Sequence, residues 1–236
     1  MERQITSGTK LLLDPTAPSI DEATPLFAIN WFNTRALWLY NLYNLIAARS
    51  VFGVDGKVLF KGKIKRTLLG PSEFSRQMLL IVNYPNSERF LDMLSNRFFQ
   101  ITSLLRMAAV RDFSFVLNQR ADGPTLLDSK KQTFESSSHW LVHHYSSTTP
   151  LDEEVTRIRK LLTDSPITLH FASEPAAKVY TIDRKDARTP LPAITDRVVI
   201  LEARATTSIE DAIKGPYSPF IESVQDSYIG EVARSM

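Results

Sequence analysis

Apolar and polar residues follow one order twice along the chain. Between residues 25 and 120 the pattern predicts strand, helix, strand, strand, helix and strand, and it predicts the same order between residues 139 and 236. The second helix of each segment has a predicted break, near residue 95 in the first and at Pro216 and Pro219 in the second. We therefore predict an α+β fold made of two ferredoxin-like βαββαβ repeats, related by tandem duplication.

The helices are predicted from apolar residues spaced three or four apart. After a nearly continuous apolar strand at residues 76–84, Asn86 is placed to cap a helix whose first turn contains Glu88. One buried face is predicted along this helix, formed by Phe90, Leu94, Phe98, Ile101, Leu105 and Ala108. In the helix before it, the corresponding stripe is Leu37, Tyr40, Asn44 and Ala48, with Tyr40 and Tyr43 interpreted as packing residues.

Two segments fall outside the repeats. Residues 1–24 form a polar leader or strap whose apolar run, residues 11–13, is far too short for the core of a signal peptide. Residues 121–138 are rich in Gly, Pro, Ser and Lys and are predicted to link the repeats.

Composition narrows the classes of function. The 236 residues are 43% hydrophobic and 23% charged, with a net charge of +2, so no general attraction to nucleic acid or membrane is expected. The chain has no cysteine, which excludes disulfides and thiolate metal sites and fits a reducing cytoplasm. The third strand of each repeat also lacks the Lys/Arg-Gly-aromatic motif of RNA-recognition domains. We predict a cytoplasmic protein without nucleic-acid or membrane partners.

Candidate chemistry is sparse. His139 and His143 share one face of a predicted strand and His144 points to the other, so His143 could meet His170 or Glu202 from other strands. No spacing is diagnostic of a metal or haem site, and we predict neither a bound metal nor a cofactor. The acidic residues 152–154 are interpreted as charges at the start of a helix.

Two polar residues interrupt apolar segments of the first repeat. Asn30 lies in the first strand, where it would line a polar pocket or make a strand-end hydrogen bond. Arg106 lies late in the long second helix, where it would reach solvent or pair with a buried carboxylate or carbonyl on a neighbouring strand; we predict the pairing.

The first repeat resembles a bacterial family of unknown function, DUF1330. The resemblance covers roughly residues 26–118 and rests on the Tyr-Pro-Asn-Ser turn at residues 84–87, on Phe99 with Gln100, and on Leu105 with Arg106. It implies the dimeric α+β barrel superfamily, in which two such units place their sheets face to face. That superfamily includes cofactor-free monooxygenases, haem-dependent enzymes, isomerases and proteins without a known reaction. A chain with both units would be an intramolecular pseudo-dimer, and a further homodimer would need another surface.

Two classes of function follow. The first is a non-catalytic protein that binds a small molecule or has an assembly role, with a pocket expected between the sheets. The alternative is an oxygenase or isomerase, cofactor-free or haem-dependent, that acts on a small apolar or aromatic metabolite. The candidate ligand-binding residues are Asn30, Arg106, His143, His170 and Glu202.

Overall fold

The computed structural model describes residues 12–13, 23–70, 76–120, 139–177, 179–180, 197–203 and 209–234. The predicted linker at 121–138, most of the leader and the predicted cap Ser208 lie outside these residues. The strands are β1 (Leu12–Leu13), β2 (Leu26–Thr34), β3 (Lys57–Leu69), β4 (Met78–Tyr84), β5 (Val110–Arg120), β6 (His139–Ser146), β7 (Ile167–Ala177), β8 (Val179–Tyr180), β9 (Arg197–Ala203) and β10 (Gln225–Arg234). The helices are α1 (Leu37–Phe52), α2 (Ser87–Ser95), α3 (Arg97–Ala109), α4 (Leu151–Leu161), α5 (Ile209–Lys214) and α6 (Ser218–Ile221).

The predicted order of elements recurs. The first repeat reads β2, α1, β3, β4, α2 with α3, and β5; the second reads β6, α4, β7, β9, α5 with α6, and β10. The longer strands are hydrogen-bonded in the closed order β10-β3-β4-β2-β5-β7-β9-β6. The predicted α+β fold with a strand barrel is therefore confirmed. No helix in the described part of the chain is both long and apolar enough to cross a membrane.

The first compact unit comprises the described parts of residues 1–61, 76–119 and 175–190. Strand β2 pairs antiparallel with both β4 and β5, so Asn30 lies opposite Leu80 on one side and Phe115 on the other. Alternate residues of β2 and β4 face the helices and form the core there, among them Leu26, Ala28, Val82 and Tyr84 against Val51, Phe90 and Met93. The leader contributes β1, which pairs antiparallel with β8.

The predicted break in the second helix is confirmed at Asn96. The Asn86 side chain caps α2 by accepting from the Arg89 amide at 2.9 Å, and Asn96 then caps α3 by accepting from Phe98 and Phe99 at 2.9 and 3.3 Å. The extended backbone of Asn96 resets the helical phase, so the single buried face predicted across the break is wrong. Phe98 and Ile101 are 45% and 66% exposed, whereas Thr102, Ser103 and Ala109 are buried.

The second compact unit comprises the described parts of residues 62–75, 120–174 and 191–236. Strand β6 pairs antiparallel with β9 and β10, and β7 pairs with the other side of β9. The odd-numbered residues of β6 face α4, α5 and α6 and pack with them in one core cluster, which includes Leu141, Tyr145, Ile158, Tyr217 and Phe220. The described side chains of this cluster pack together between the sheet and the helices of the unit.

Candidate functional site

A cavity of about 320 Å³ lies inside the first unit, between the sheet and helices α1, α2 and α3. Its walls are mainly apolar and aromatic, including Phe32, Val82, Phe90, Met93, Phe99 and Phe113. We expected a pocket between the two sheets; this cavity instead lies on the helix-facing side of one sheet. Such apolar clefts with a few polar groups are typical of small-molecule sites.

Small side chains open this space. Ala28 on β2 and Ala47 and Ala48 on α1 line the cavity. Their side chains are single methyl groups, which leave the space between the strand and the helix open. Asn30, two residues beyond Ala28, shares its face of the strand because side chains alternate along β2. The alanines of the predicted helix could have indicated a cavity, but alanine is equally common in closely packed cores, so they do not distinguish the two.

Asn30 presents an oriented amide to the cavity. Its Nδ2 donates to the main-chain oxygens of Ala28 and Leu80, at 2.9 and 3.2 Å. Carbonyl oxygens can only accept, so the nitrogen must face them and Oδ1 is left as an acceptor. Asn30 therefore lines a mainly apolar cavity, and its hydrogen bonds to the main chain are made in the middle of β2 rather than at a strand end.

Two cationic side chains line the same cavity. The Cζ atom of Arg106 lies 4.1 Å from the centre of the Phe113 ring, and Nζ of Lys61 lies 5.6 Å from that of Tyr40. Within the described residues neither cation makes an ion pair with a carboxylate. Arg106 is thus held against β5 by an aromatic ring rather than by the predicted buried carboxylate or carbonyl. Lys61 was not among the predicted site residues.

Tyrosine hydroxyls add neutral donors to the lining. Burial raises the pKa of Tyr40, an effect that the Asn44 side chain partly offsets, and burial also raises the pKa of Tyr43, where Arg106 acts in the opposite direction. Both phenols are therefore protonated at neutral pH. The Tyr40 Oη is buried beside the Asn44 side chain, and no hydrogen bond of ordinary geometry joins it to a described residue. These two tyrosines, interpreted from the sequence as packing residues, also line the cavity.

The residues that carry the family resemblance converge on this cavity. Phe99, Gln100 and Arg106 all line it. The Gln100 side chain donates to the Leu94 carbonyl at 3.2 Å, which bridges the break between α2 and α3. In a continuous helix these residues of α3 would point in another direction. The break turns them toward the sheet.

His143 is buried in the second unit and does not line the cavity. Its Nδ1 lies 2.9 Å from Oη of Tyr217, and its ring packs against Tyr145 and Phe220. Burial, helped by His144, lowers the pKa of His143 to about 3, so the ring is neutral at physiological pH. A proton-exchanging role near neutral pH is not favoured by this environment.

His170 and Glu202 also belong to the second unit, where the structure brings them together. Nε2 of His170 lies 2.7 Å from Oε2 of Glu202, and the His170 ring packs against Trp140 at 4.8 Å between centres. Trp140 lies on the face of β6 opposite to His143, so the predicted histidines do not converge. Within the described residues no group of three His, Cys, Asp or Glu side chains could hold a metal ion.

Glu154 corrects the interpretation of residues 152–154 as simple helix-start charges. It is 2% exposed, accepts from Oη of Tyr145 at 2.8 Å and from Ser147 Oγ, and lies 2.6 Å from Nη1 of Arg197. The signal was its position: Glu154 follows Leu151 by three residues and precedes Ile158 by four, which puts it on the buried stripe. Asp152 and Glu153 are exposed, as expected.

Comparisons with known proteins support the fold and leave the activity open. No family model and no curated protein matches the chain. Among solved structures, it is similar to a candidate monooxygenase from Fusobacterium nucleatum subsp. nucleatum, at 11% identity and a TM-score of 0.53, over 91% of this chain and 94% of that one. A candidate monooxygenase from Lactobacillus acidophilus is 10% identical over 89% and 94% of the two chains, with a TM-score of 0.51. An anthrone oxidase-like protein is 10% identical over 92% of each chain, also with a TM-score of 0.51. These likenesses support the α+β barrel fold and nothing beyond the fold.

Proposed function

We propose that the first unit binds a small molecule with an apolar or aromatic body and an acidic oxygen. The observation that carries this proposal is the presence of Arg106, without a carboxylate partner among the described residues, inside an apolar cavity of about 320 Å³. A guanidinium in such surroundings stabilises an anionic group more strongly than it would in water, because the surrounding dielectric is low. The volume is at the small end of the range for ligand sites.

Each polar residue of the cavity has a distinct role in this proposal. Arg106 binds the acidic oxygen, and its plane is fixed by stacking on Phe113. Lys61 adds a second positive charge, and the neutral Tyr40 and Tyr43 hydroxyls donate hydrogen bonds. The Oδ1 atom of Asn30 accepts from a hydroxyl or amide of the ligand, because its Nδ2 is occupied.

A second candidate function is the cofactor-free oxidation of an aromatic metabolite. It is supported by the similarity to two candidate monooxygenases and an anthrone oxidase-like protein. In a reaction of that class, an anthrone methylene and O₂ give a quinone carbonyl and water. The methylene carbon supplies all four electrons that reduce O₂, so no external reductant is needed. The cations at Arg106 and Lys61 would favour loss of the methylene proton by stabilising the resulting oxyanion.

The haem-dependent form of this alternative does not suit the cavity. The lining residues include no histidine and the chain has no cysteine. Burial keeps the Tyr40 and Tyr43 phenols protonated, and Sδ of Met93 accepts a hydrogen bond from Tyr84, so these tyrosine and methionine side chains are not placed as free ligands of haem iron either. We therefore derive no step through haem. The narrower resemblance to DUF1330 stays a prediction, supported by the position of Phe99, Gln100 and Arg106 around the cavity.

Binding can be tested with a matched pair of probes, 2-naphthoate and 2-naphthamide. Titration calorimetry should show binding of the carboxylate, weaker binding of the amide, and a loss of about tenfold or more for the carboxylate in Arg106→Met. Equal affinities for both probes in the parent protein would contradict the role of Arg106, and no binding of either would contradict the proposed site.

Oxidation is tested separately with anthrone in air-saturated buffer. Anthraquinone formation with matching O₂ uptake, above the rate without protein and lowered in Arg106→Met, would support the enzyme. Binding of naphthoate without anthrone oxidation would favour the non-catalytic function.

A further inference from the structure

Two neighbouring helices of the first unit expose apolar side chains to solvent. Helix α1 exposes Trp38, Leu42, Leu45 and Phe52, and α3, which packs against it, exposes Phe98, Ile101 and Leu104. We call these seven residues the α1–α3 patch. The α1 members follow gaps of four, three and seven residues, so they form one stripe on the face opposite to the buried Tyr40, Ala47 and Val51. A contiguous apolar surface of this kind marks an interaction site.

A shallow groove lies between the end of α1 and the start of α3, at the Phe98 end of the patch. Arg49 and Gly53, near the end of α1, line this groove together with Asn96 and Phe98 at the start of α3. Arg49 is exposed and lies one turn from both Leu45 and Phe52 on the α1 stripe. A positive charge is thus placed within the apolar surface rather than away from it.

The charges of these helices are all of one sign. Helices α1 and α3 contain three arginines, Arg49, Arg97 and Arg106, and no aspartate or glutamate. Arg106 lines the internal cavity, whereas Arg49 and Arg97 are exposed. The outward surface of the two helices is therefore apolar and aromatic, with arginines and no acid within either helix; the exposed Asp55 follows in the turn after α1.

The second repeat shows that the fold does not require this composition. Helix α4 is the counterpart of α1 in the order of elements, and its exposed positions carry charged and polar residues: Asp152, Glu153, Thr156, Arg157, Arg159 and Lys160. An ordinary solvated helix is thus compatible with this position of the fold. The exposed apolar stripe of α1 needs a different explanation.

We propose that the α1–α3 patch binds the surface of an anionic membrane. Aromatic and leucine side chains enter the boundary between headgroups and acyl chains, and arginines beside them are attracted to acidic lipids. A second copy of the chain fits less well, because a two-fold interface would bring the Arg49 and Arg97 side chains of both copies into one surface with no acid of α1 or α3 to pair with them. Membrane contact was not expected from the net charge of +2. That value sums the charges of the whole chain and does not reveal a local surface that has arginines without acids.

Trp38 offers a direct measurement. The chain has three tryptophans, and Trp31 and Trp140 are 1% and 2% exposed whereas Trp38 is 71% exposed. A blue shift of tryptophan emission on adding vesicles will therefore report chiefly on Trp38. We expect the shift, together with flotation of the full chain, with vesicles of phosphatidylcholine and phosphatidylglycerol, and much less of either with phosphatidylcholine alone.

Variants separate the apolar contribution to membrane binding from the electrostatic one. Leu45→Gln should abolish flotation, whereas the matched control Leu91→Gln, at an exposed leucine of α2 outside the patch, should float like the parent. The double variant Arg49→Gln with Arg97→Gln should bind anionic vesicles roughly 30-fold more weakly, from about 1 kcal/mol per basic residue. Both positions are exposed, so circular dichroism should show a folded chain in every case.

Three outcomes would overturn the proposal. One is the absence of flotation and of a blue shift with anionic vesicles. Another is equal binding to neutral vesicles, which would remove the role of the arginines. The third is a dimer in analytical ultracentrifugation that Leu45→Gln dissociates while vesicles leave the parent unbound, which would assign the patch to a second copy.

Discussion

The guanidinium of Arg106 stacks on the ring of Phe113, with 4.1 Å between Cζ and the ring centre. This contact joins α3 to β5 across one side of the cavity. It places a cation, half-buried and without a carboxylate partner in the described part of the chain, beside an apolar space. The stack holds the charge in position without neutralising it, which suits a residue that binds an anion.

Replacing Arg106 with Met should therefore affect binding more than stability. The methionine keeps part of the packing on Phe113, so we expect the free energy of unfolding to fall by about 1 kcal/mol or less. Urea denaturation measures this change, and calorimetry with 2-naphthoate measures the accompanying loss of affinity. A fall of about 3 kcal/mol would instead indicate a buried anionic partner of Arg106.

Tyr40→Phe should remove a hydroxyl that ligand-free folding does not use. The Oη atom is buried with no hydrogen bond of ordinary geometry to a described residue, and only the nearby Asn44 side chain interacts with it, so its loss should change stability by less than about 1 kcal/mol. Affinity for 2-naphthoate should fall. Tyr84→Phe is the matched control for stability alone, because Tyr84 Oη donates to Sδ of Met93 at 3.1 Å and Tyr84 also lines the cavity. A marked destabilisation by Tyr40→Phe would contradict the assignment of Tyr40 to ligand binding.

Glu154→Gln should strongly destabilise the protein. Glu154 is buried 2.6 Å from Nη1 of Arg197. Neutralising Glu154 leaves the buried guanidinium with the half-exposed Glu174, whose Oε2 lies 3.2 Å from Nη2, and we expect a cost of about 3 kcal/mol. The adjacent Glu153→Gln, at an exposed position, should change the unfolding free energy by less than about 0.5 kcal/mol. Equal midpoints in guanidinium chloride for both variants would argue against the ion pair.

Stability should fall in acid through the buried histidines. Burial lowers the pKa of both His143 and His144 to about 3 in the folded protein, below the unfolded value near 6.5. The unfolded chain therefore binds protons first, so stability is full above about pH 6.5 and declines toward pH 3. Each histidine contributes a slope of about 1.4 kcal/mol per pH unit.

His143→Phe should remove one histidine's share of that slope, as measured by urea unfolding at several pH values between 4 and 7. Tyr217→Phe is the control, because it removes the hydrogen bond to His143 and keeps the burial that causes the shift. If Tyr217→Phe flattened the slope as much as His143→Phe, the hydrogen bond rather than burial would be the cause.

The alternation of strands and the three-to-four spacing of helices were enough to predict the repeated βαββαβ order, because both reflect local periodicity. They were insufficient at Asn96, where a one-residue break changes which side of α3 faces inward. Phe98 and Ile101 then pass from the expected core to the surface. The spacing of apolar residues, when continued from α2 into α3, could not reveal that a different side of α3 faces the core.

The candidate site was only partly accessible to sequence reasoning. Asn30 and Arg106 could be identified, because each is a polar residue in an apolar element, and the structure brings both to one cavity. Lys61 alternates with other lysines along β3 and so gave no distinct signal. Histidines suggested chemistry by their type alone, yet His143 is a packed residue of the second unit, since burial depends on contacts distant in sequence.

The two repeats use the layer between sheet and helices differently: it is filled by Tyr145, Tyr217 and Phe220 in the second unit and contains a cavity in the first. In a homodimer every substitution is imposed on both subunits, so a residue that fills one site also closes the other. A single chain with both repeats escapes this constraint. One half can accumulate bulky, stabilising residues while the other keeps its cavity and its charged side chains. The loss of a binding site in one half therefore leaves the site in the other half intact.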